Sequence, residues 1–366
     1  MAQRVVVLSS QLITTLSALA YLRWSRLRGT RLEVVSLYRD DLCHSTKAFQ
    51  PLLRDLAALD GHRCRFIAGD IDPSVKASRA CSLLLLPRLD DREGQRMLHE
   101  YQAAEVVELG ESIGVETCLY SRAGRHQRQC LLQGLRRSKG RAVVRQDPLI
   151  PLKQPVDLAR LRCLLELCAA ARAALAASRS SDGTLAPGVM LCLPYLKLQT
   201  WRFRWRLMGR SLGWRWALGV ENQTYFRRAI RSALRPLPVD VPLWVQAHPK
   251  NEAHHGWIDQ LLLPLRSDAG LELLASGDPL EVRLSRGWSS DGSGCWHVLG
   301  FGTNLLAAAV FLAPQHRRIS LCQPADEGWW RRCLDPWLNR REWWRSQHVR
   351  AVLTNLLDAL DRLQAQ

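Results

Sequence analysis

Several signatures that would decide the chemistry at once are missing from this sequence. It contains neither GxGxxG nor GxxxxGK[ST], so a dinucleotide-binding fingerprint and a P-loop have no local support. It also lacks the GxSxG elbow of the α/β hydrolases. No two cysteines stand as CxxC. The 11 cysteines are odd in number and scattered, which predicts reduced, mostly buried thiols in a cytoplasmic protein and argues against a disulfide framework or a zinc site. No apolar run reaches the roughly 18 residues of a membrane-crossing helix. Acid is scarce: 51 Lys+Arg face 34 Asp+Glu, a net charge of +17. Such a surplus attracts anions, whether nucleic acid, an acidic membrane, a nucleotide-sugar or a polyanionic polymer.

What is present fits two globular domains, since 366 residues at roughly 150 per domain leave each half enough chain to bury a core. Hydrophobic residues at 47% and charged residues at 23% are ordinary globular values. Arg4, the apolar stretch after it and Ala18-Leu19-Ala20 imitate a signal peptide, but Ser9, Ser10, Gln11, Thr14 and Thr15 interrupt it. The stretch divides better into a strand from Val5 to Leu8 and a helix from Leu12 to about Trp24. Further strands are expected at LEVVSLY from Leu32, CRFIAGD from Cys64, LLLLP from Leu83 and VVELG from Val106, with a helix around Pro51 to Leu59. This alternation reads as βαβ units on a parallel sheet. A long helix from Val156 to about Ser178 ends in a Ser/Gly/Pro cluster. The expected domains are therefore 1–178, a linker at 179–188, 189–335, and a helical segment at 336–366. In the second domain, strands are expected at VMLCLPYL, at LWVQAH from Leu243, at VRLSR from Val282 and at WHVLG before a glycine turn and helix. Of 14 tryptophans only Trp24 precedes residue 200, as in two separately built halves.

Ligands of open parallel sheets sit at the carboxyl ends of the strands, so the turns there are the candidates. In VVELGESIGVET, Glu108, Glu111 and Glu116 crowd a strand end beside Gly110 and Gly114. A carboxylate so placed is a natural general base, and a solvated turn opening a helix is the plainer reading. In VQAHPKNE, His248 and Pro249 end an apolar strand and Lys250 adds a charge suited to phosphate. His254 and His255 form a pair without a third metal ligand at useful spacing. In LGFGTNLL, Gly300, Gly302, Thr303 and Asn304 precede a helix, where N–H groups and a hydroxyl converge on phosphate, or Thr303 merely caps. Asp70-Ile71-Asp72 reads as a turn more readily than as a DxD site for a divalent cation.

In this order, an N-terminal strand ending in SSQL, the acidic-glycine turn, the strand PYLKL, a strand ending in HPK and the Gly-Thr-Asn turn resemble one family. It is the bacterial polysialyltransferase and lipooligosaccharide sialyltransferase group, glycosyltransferase family fifty-two, and the likeness spans about residues 4 to 320. The resemblance implies an α/β, GT-B-like fold of two Rossmann-like domains facing a nucleotide-binding cleft. It implies inverting transfer of a sialic acid from a CMP-sugar, without metal or other cofactor, to a glycan or lipid-linked acceptor. On that pattern Glu111 is the base, His248 the phosphate partner and general acid, Pro249 its brace, and Lys250, Gly302, Thr303 and Asn304 complete the phosphate site. The chain departs from the family in having Gly110-Glu111-Ser112 where two adjacent acids precede glycine, which keeps Glu108 as an alternative base. Thr303-Asn304 replaces a pair of hydroxyl residues.

One segment stands apart. Thr200 to Gly219 carries Arg202, Arg204, Arg206, Arg210 and Arg215 among Trp201, Trp205, Trp214 and Trp216, with no acid. This is the composition of a membrane interface, an anionic-polymer groove or a nucleic-acid stacking surface, or of a helix with core tryptophans. It suits an enzyme at the inner face of the membrane, bound peripherally. Two other functions compete: a nonenzymatic polyanion- or RNA-binding protein, for which no RNP, KH or zinc-finger signature is present, and a metal-dependent GT-A transferase using Asp70 and Asp72. A chain of the same fold that has lost its activity also fits the altered motifs.

Overall fold

In a computed structural model of the chain, the residues described are 3–9, 12–36, 40–68, 79–116, 126, 128–134, 143–177, 188–193, 225–237, 242–246, 262, 271–273, 297–301, 305–312, 319–322 and 340–366. Two sheets form, both wholly parallel. The first contains β1 (Arg4–Leu8), β2 (Arg31–Ser36), β3 (Arg63–Ala68), β4 (Arg79–Leu86), β5 (Tyr101–Glu108) and β6 (Val143–Gln146), in the order β3-β2-β1-β4-β5-β6. The second contains β7 (Val189–Cys192), β8 (Leu243–Gln246), β9 (Leu271–Leu273), β10 (His297–Gly300) and β11 (Ile319–Leu321), in the order β11-β10-β7-β8-β9. Counted from its own first strand, each sheet has the 3-2-1-4-5 core order of a doubly wound nucleotide-binding fold. The expected α/β class with two Rossmann-like units is what the chain adopts.

The central strands explain themselves. β1 is Arg-Val-Val-Val-Leu, and its four apolar residues are all buried, because a strand inside a parallel sheet has both faces covered. β7, Val-Met-Leu-Cys, is likewise buried throughout. Around the second sheet Leu191, Val245 and Leu299 pack with Phe226 and Phe301, whose rings meet edge to face at 4.9 Å.

Helices among the described residues include α1 (Leu12–Trp24), α2 (Asp40–Ala58), α3 (Arg92–Glu100), α4 (Leu158–Ala177), α5 (Leu305–Leu312) and α6 (Arg340–Gln364). The bounds of α1 are those its sequence predicts. α2 differs, beginning at Asp40 and running through Pro51 to Ala58, where the sequence suggests a helix only around Pro51 to Leu59. A proline inside a helix removes one hydrogen bond without forbidding continuation when flanking contacts hold both halves. α3 and β6 were not expected at all. The chain divides into two compact units, Met1–Ser180 with Ala351–Gln366, and Ser181–Arg350. α6 thus begins among residues of the second unit and ends among those of the first, where Asn355 Nδ2 donates to the carbonyls of Pro151 at 2.5 Å and Gln154 at 3.1 Å.

α1 is buried from Leu12 to Leu22 although it carries Thr14, Thr15 and Ser17. It packs against α4, and polar groups in that interface must find partners inside the protein. Ser9 Oγ and Thr15 Oγ1 meet at 2.5 Å. Arg160 of α4, 2% exposed, donates through Nη1 to the Asp147 carbonyl at 2.9 Å and carboxylate at 3.0 Å. Its Nε and Nη2 have no hydrogen-bond partner among the described residues, but the guanidinium lies 5.0 Å from the Tyr21 ring centroid and 5.7 Å from that of Trp24. Stacking on two rings replaces the missing bonds in part. Ser17 Oγ is buried and also without a partner among the described residues.

Two stability changes of opposite sign follow. Arg160→Ala removes a buried guanidinium that packs on two rings and pairs with the part-buried Asp147, and is expected to destabilise the chain by about 2 kcal/mol in denaturant titration. Ser17→Ala deletes a buried, unsatisfied hydroxyl and is expected to leave stability unchanged or raise it by about 1 kcal/mol. A clear loss on Ser17→Ala would mean that the hydroxyl has a partner after all.

Candidate functional site

The doubly wound order reverses between β1 and β4 in the first unit and between β7 and β10 in the second. Ligands of such sheets bind outside the carboxyl ends of the strands at that reversal. In the first unit a seam lies there, lined by Val7, Leu8, Thr14, Ser17 and Ala18 on one side and by Leu85, Leu86, Pro87, Leu109, Gly110 and Ser112 on the other. It spans about 200 Å³ with its open mouth counted, and its interior leaves no room for a water-sized sphere.

The chain leaving β5 at this edge makes a tight turn. Glu111 N–H donates to the Val115 carbonyl at 2.8 Å, and Val115 N–H to the Glu111 carbonyl at 2.8 Å. Gly110 and Gly114 sit at φ 92° and 93°, and Ser112 at 54°. A Cβ on Gly110 would lie 2.3 Å from the Val115 carbonyl oxygen, so glycine is required for both conformation and space. The turn is stitched onward, since Glu116 N–H donates to the Ile150 carbonyl at 3.0 Å and Ile150 N–H to that of Gly114 at 2.9 Å.

Each of the three acids in this stretch has a definite partner. Glu108 is buried; its Oε1 accepts from Leu89 N–H at 3.1 Å, and its Oε2 accepts from Gln146 Nε2 at 2.6 Å and from Arg128 Nη2. Glu116 Oε2 accepts from Leu152 N–H at 2.7 Å. Glu111, 34% exposed, receives Arg88 Nη1 on Oε1 at 2.6 Å. Arg88 in turn forks onto Asp90 through Nε at 3.1 Å and Nη2 at 2.9 Å, and Arg128 Nη1 reaches Asp90 at 2.7 Å. Three carboxylates (Asp90, Glu108, Glu111) and two guanidiniums (Arg88, Arg128) therefore form one chain of charge-assisted bonds across the ends of β4 and β5.

The environment tunes these groups. Burial would raise the Asp90 carboxyl, but the hydrogen bond and charge of Arg88 and the charge of Arg128 outweigh it and hold it below the usual carboxylate range. Its neighbour Asp91 caps α3, accepting from Gly94 N–H at 2.6 Å. Burial pushes the Asp91 carboxyl up to about 6, the Gly94 bond opposing and the charge of Glu93 adding to the rise.

Of the residues singled out from the sequence, Glu111 lies in the turn between Gly110 and Ser112, two residues that line the seam, and Glu108, three residues back, is committed to three donors inside the protein. His248, Pro249 and Lys250, then Gly302, Thr303 and Asn304, lie outside the described residues, as do Asp70, Asp72, His254, His255, the VRLSR stretch and the Thr200–Gly219 segment. What is described brackets them: β8 ends at Gln246, β10 ends at Gly300 and α5 begins at Leu305. Arg88, Asp90, Asp91 and Arg128 escaped sequence reasoning. The run Pro87-Arg88-Leu89-Asp90-Asp91 directly after the apolar β4 was the available signal, a charged turn at a strand's carboxyl end. Among the described residues no group of three or more His, Cys, Asp or Glu side chains is placed to hold a metal ion, and no helix is long and apolar enough to cross a membrane.

No protein-family profile and no curated protein matches the chain. Among solved structures, that of Acinetobacter baumannii MurG aligns over 100% of both chains at 8% sequence identity with a TM-score of 0.28.

Two measurements probe the site's construction. Gly110→Ala is expected to cost about 1–3 kcal/mol, because the new Cβ has neither the backbone conformation nor the room. For Asp91, whose folded pKa of about 6 exceeds the ordinary 3.8, the folded state binds the extra proton between those values, so stability falls as pH rises from about 4 to 6. Asp91→Asn keeps a good cap and abolishes this term. The stability of wild type relative to the variant should therefore decline over that window, and a flat difference would contradict the burial of the carboxyl.

Proposed function

We propose that this chain is an inverting, metal-independent glycosyltransferase of the sialyl- and polysialyltransferase type, transferring a sialic acid from a CMP-sugar to the hydroxyl of a glycan or lipid-linked acceptor. The observation that carries the reading is the position of Glu111: a partly exposed carboxylate, on a rigid glycine turn, at the strand ends where a doubly wound sheet offers its ligand site. The likeness of its motifs to family fifty-two supplies the donor and the partners of Glu111.

In this reaction the acceptor oxygen attacks the anomeric carbon while its proton passes to the Glu111 carboxylate. The bond from that carbon to the phosphate oxygen breaks, and its electron pair leaves with CMP. Lys250, and backbone N–H groups at Gly302, Thr303 and Asn304 with the threonine hydroxyl, meet the charge that develops on the phosphate. His248, braced by Pro249, donates a hydrogen bond or a proton to the departing oxygen. No cofactor enters these steps.

Peripheral attachment to the inner face of an anionic membrane belongs to the same proposal. Besides the segment at 200–219, the stretch Trp329 to Arg345 holds Trp329, Trp330, Trp337, Trp343 and Trp344 with Arg331, Arg332, Arg340, Arg341 and Arg345. Trp344, on α6, is 46% exposed. Tryptophan and arginine together favour the lipid headgroup region.

CMP or a CMP-sugar is expected to raise the melting temperature in the presence of EDTA. Glu111→Gln and His248→Ala should each lower turnover by roughly 10² to 10⁴, with CMP affinity weakened only by the histidine change. Stabilisation by a UDP-sugar with Mn²⁺ alone would transfer the assignment to Asp70 and Asp72. Replacing Arg202, Arg204 and Arg206 by Gln should weaken binding to anionic vesicles, less so at high salt, and spare CMP binding. Tight RNA binding lost with these arginines, in a protein indifferent to CMP, would overturn the enzyme reading.

A further inference from the structure

We propose that Arg88 is a positioning residue for the carboxylate of Glu111, a role that rests on the reading of Glu111 as the base. An arginine and a glutamate meeting at a protein surface ordinarily contribute little, because both long side chains give up rotamer freedom to meet. Here the freedom of the arginine is already gone. Its Nε and Nη2 are forked on Asp90 at 3.1 Å and 2.9 Å, leaving Nη1 aimed at Glu111 Oε1, 2.6 Å away. Asp90 is itself held by Arg128 at 2.7 Å, and Arg128 is anchored on the buried Glu108. Glu108 is fixed by the backbone N–H of Leu89, the residue next to Arg88, at 3.1 Å. The chain of contacts thus closes on itself, from the β4 turn to β5 and back, and the Arg88 bond to Glu111 joins it to the glycine turn.

The backbone of Glu111 is fixed just as firmly, by its two 2.8 Å bonds with Val115. Turn and fork hold the two ends of the glutamate separately, the main chain by Val115 and the carboxylate by Arg88. A carboxylate that must take a proton from a hydroxyl as the hydroxyl attacks gains from being held in one place before substrate arrives, and a displacement of about 1 Å can cost 10²-fold in rate. Arg88 supplies that placement without touching the donor sugar, so its effect falls on the chemical step and not on donor binding. Arginine is the residue for the task, since its planar fork addresses two carboxylates at once, where a lysine offers one point charge.

The test uses the full chain with CMP-sialic acid as donor and a neutral galactose-terminated oligosaccharide as acceptor, comparing wild type, Arg88→Ala, Arg88→Lys, Glu111→Gln and the double variant Arg88→Ala/Glu111→Gln below their melting temperatures. Arg88→Ala is expected to lower kcat by roughly 10- to 100-fold with KM for the CMP-sugar unchanged within about twofold. Arg88→Lys should recover part of that loss, and Arg88→Ala should cost nothing further once Glu111 is glutamine. If Arg88→Ala does not fold, Asp90→Asn, which loosens the fork and keeps the arginine, carries the same expectation. An unchanged kcat for Arg88→Ala, a change confined to KM, or losses that simply multiply in the double variant would overturn the positioning role while Glu111→Gln still shows the base at work. Full activity of Glu111→Gln, or a wild type that turns over no CMP-sugar, overturns the reading of Glu111 and the role of Arg88 with it.

Discussion

The carboxylate of Glu108 is the constraint on which the carboxyl edge of the first unit's sheet depends. It is buried at the end of β5 and takes hydrogen bonds from the Leu89 backbone in the turn after β4, from Gln146 at the end of β6, and from Arg128 in the helical stretch 128–134. Three neighbouring strands and one helical segment thus converge on two oxygen atoms. A buried carboxylate with so many donors is stable only while all of them stay, because removing any leaves charge without compensation. The main chain continues the pattern, with Leu109 N–H bonded to the Leu86 carbonyl and Asp147 N–H to that of Glu108. The turns carrying Arg88 and Glu111 are consequently parts of one rigid edge.

Around that edge the protein solves the same problem twice. Both sheets start from a strand with a buried apolar run, β1 or β7, placed between strands that come later in the chain, and both reverse their winding direction beside it. In sheets of this order a crevice opens outside the carboxyl ends of the strands at the reversal. Charge is distributed unevenly over this plan. The chain as a whole is strongly basic, yet the edge of the first unit gathers Asp90, Asp91, Glu108, Glu111 and Glu116, and its arginines are spent on neutralising them.

Much of this was legible in the sequence, for identifiable reasons. β1, β4 and β7 announce themselves because a strand covered on both faces has to be continuously apolar, and α1 and α4 because their apolar residues recur over a length no strand reaches. The turn holding Glu108, Glu111 and Glu116 stood out since Gly110 and Gly114 mark a sharp bend just past an apolar run, and only the resemblance to family fifty-two singled out Glu111 among the three. What escaped was whatever depends on distant residues meeting. Nothing in Arg128 taken alone points to Asp90, 38 positions away, or to Glu108, 20 positions away. β6, four residues with one of them buried, has too little pattern to declare itself. The start of α2 was missed because a proline more often marks a helix boundary than a helix interior, and here Pro51 lies inside.

The split ownership of α6 has a consequence for how the protein comes into being. The first unit contains Met1–Ser180 and also Ala351–Gln366, so its packing cannot be finished when its own strands have emerged from the ribosome. At about 5–20 residues per second, the intervening 181–350 takes on the order of 10–35 s to make. For that interval the surface later covered by Val352, Leu356 and Ala359, all buried in the finished structure, faces the cell unprotected. The carbonyls of Pro151 and Gln154 wait for Asn355 over the same period. Synthesis of the second unit is therefore timed against exposure of the first, and a nascent chain of this design presents apolar surface to chaperones in proportion to how slowly its middle is translated.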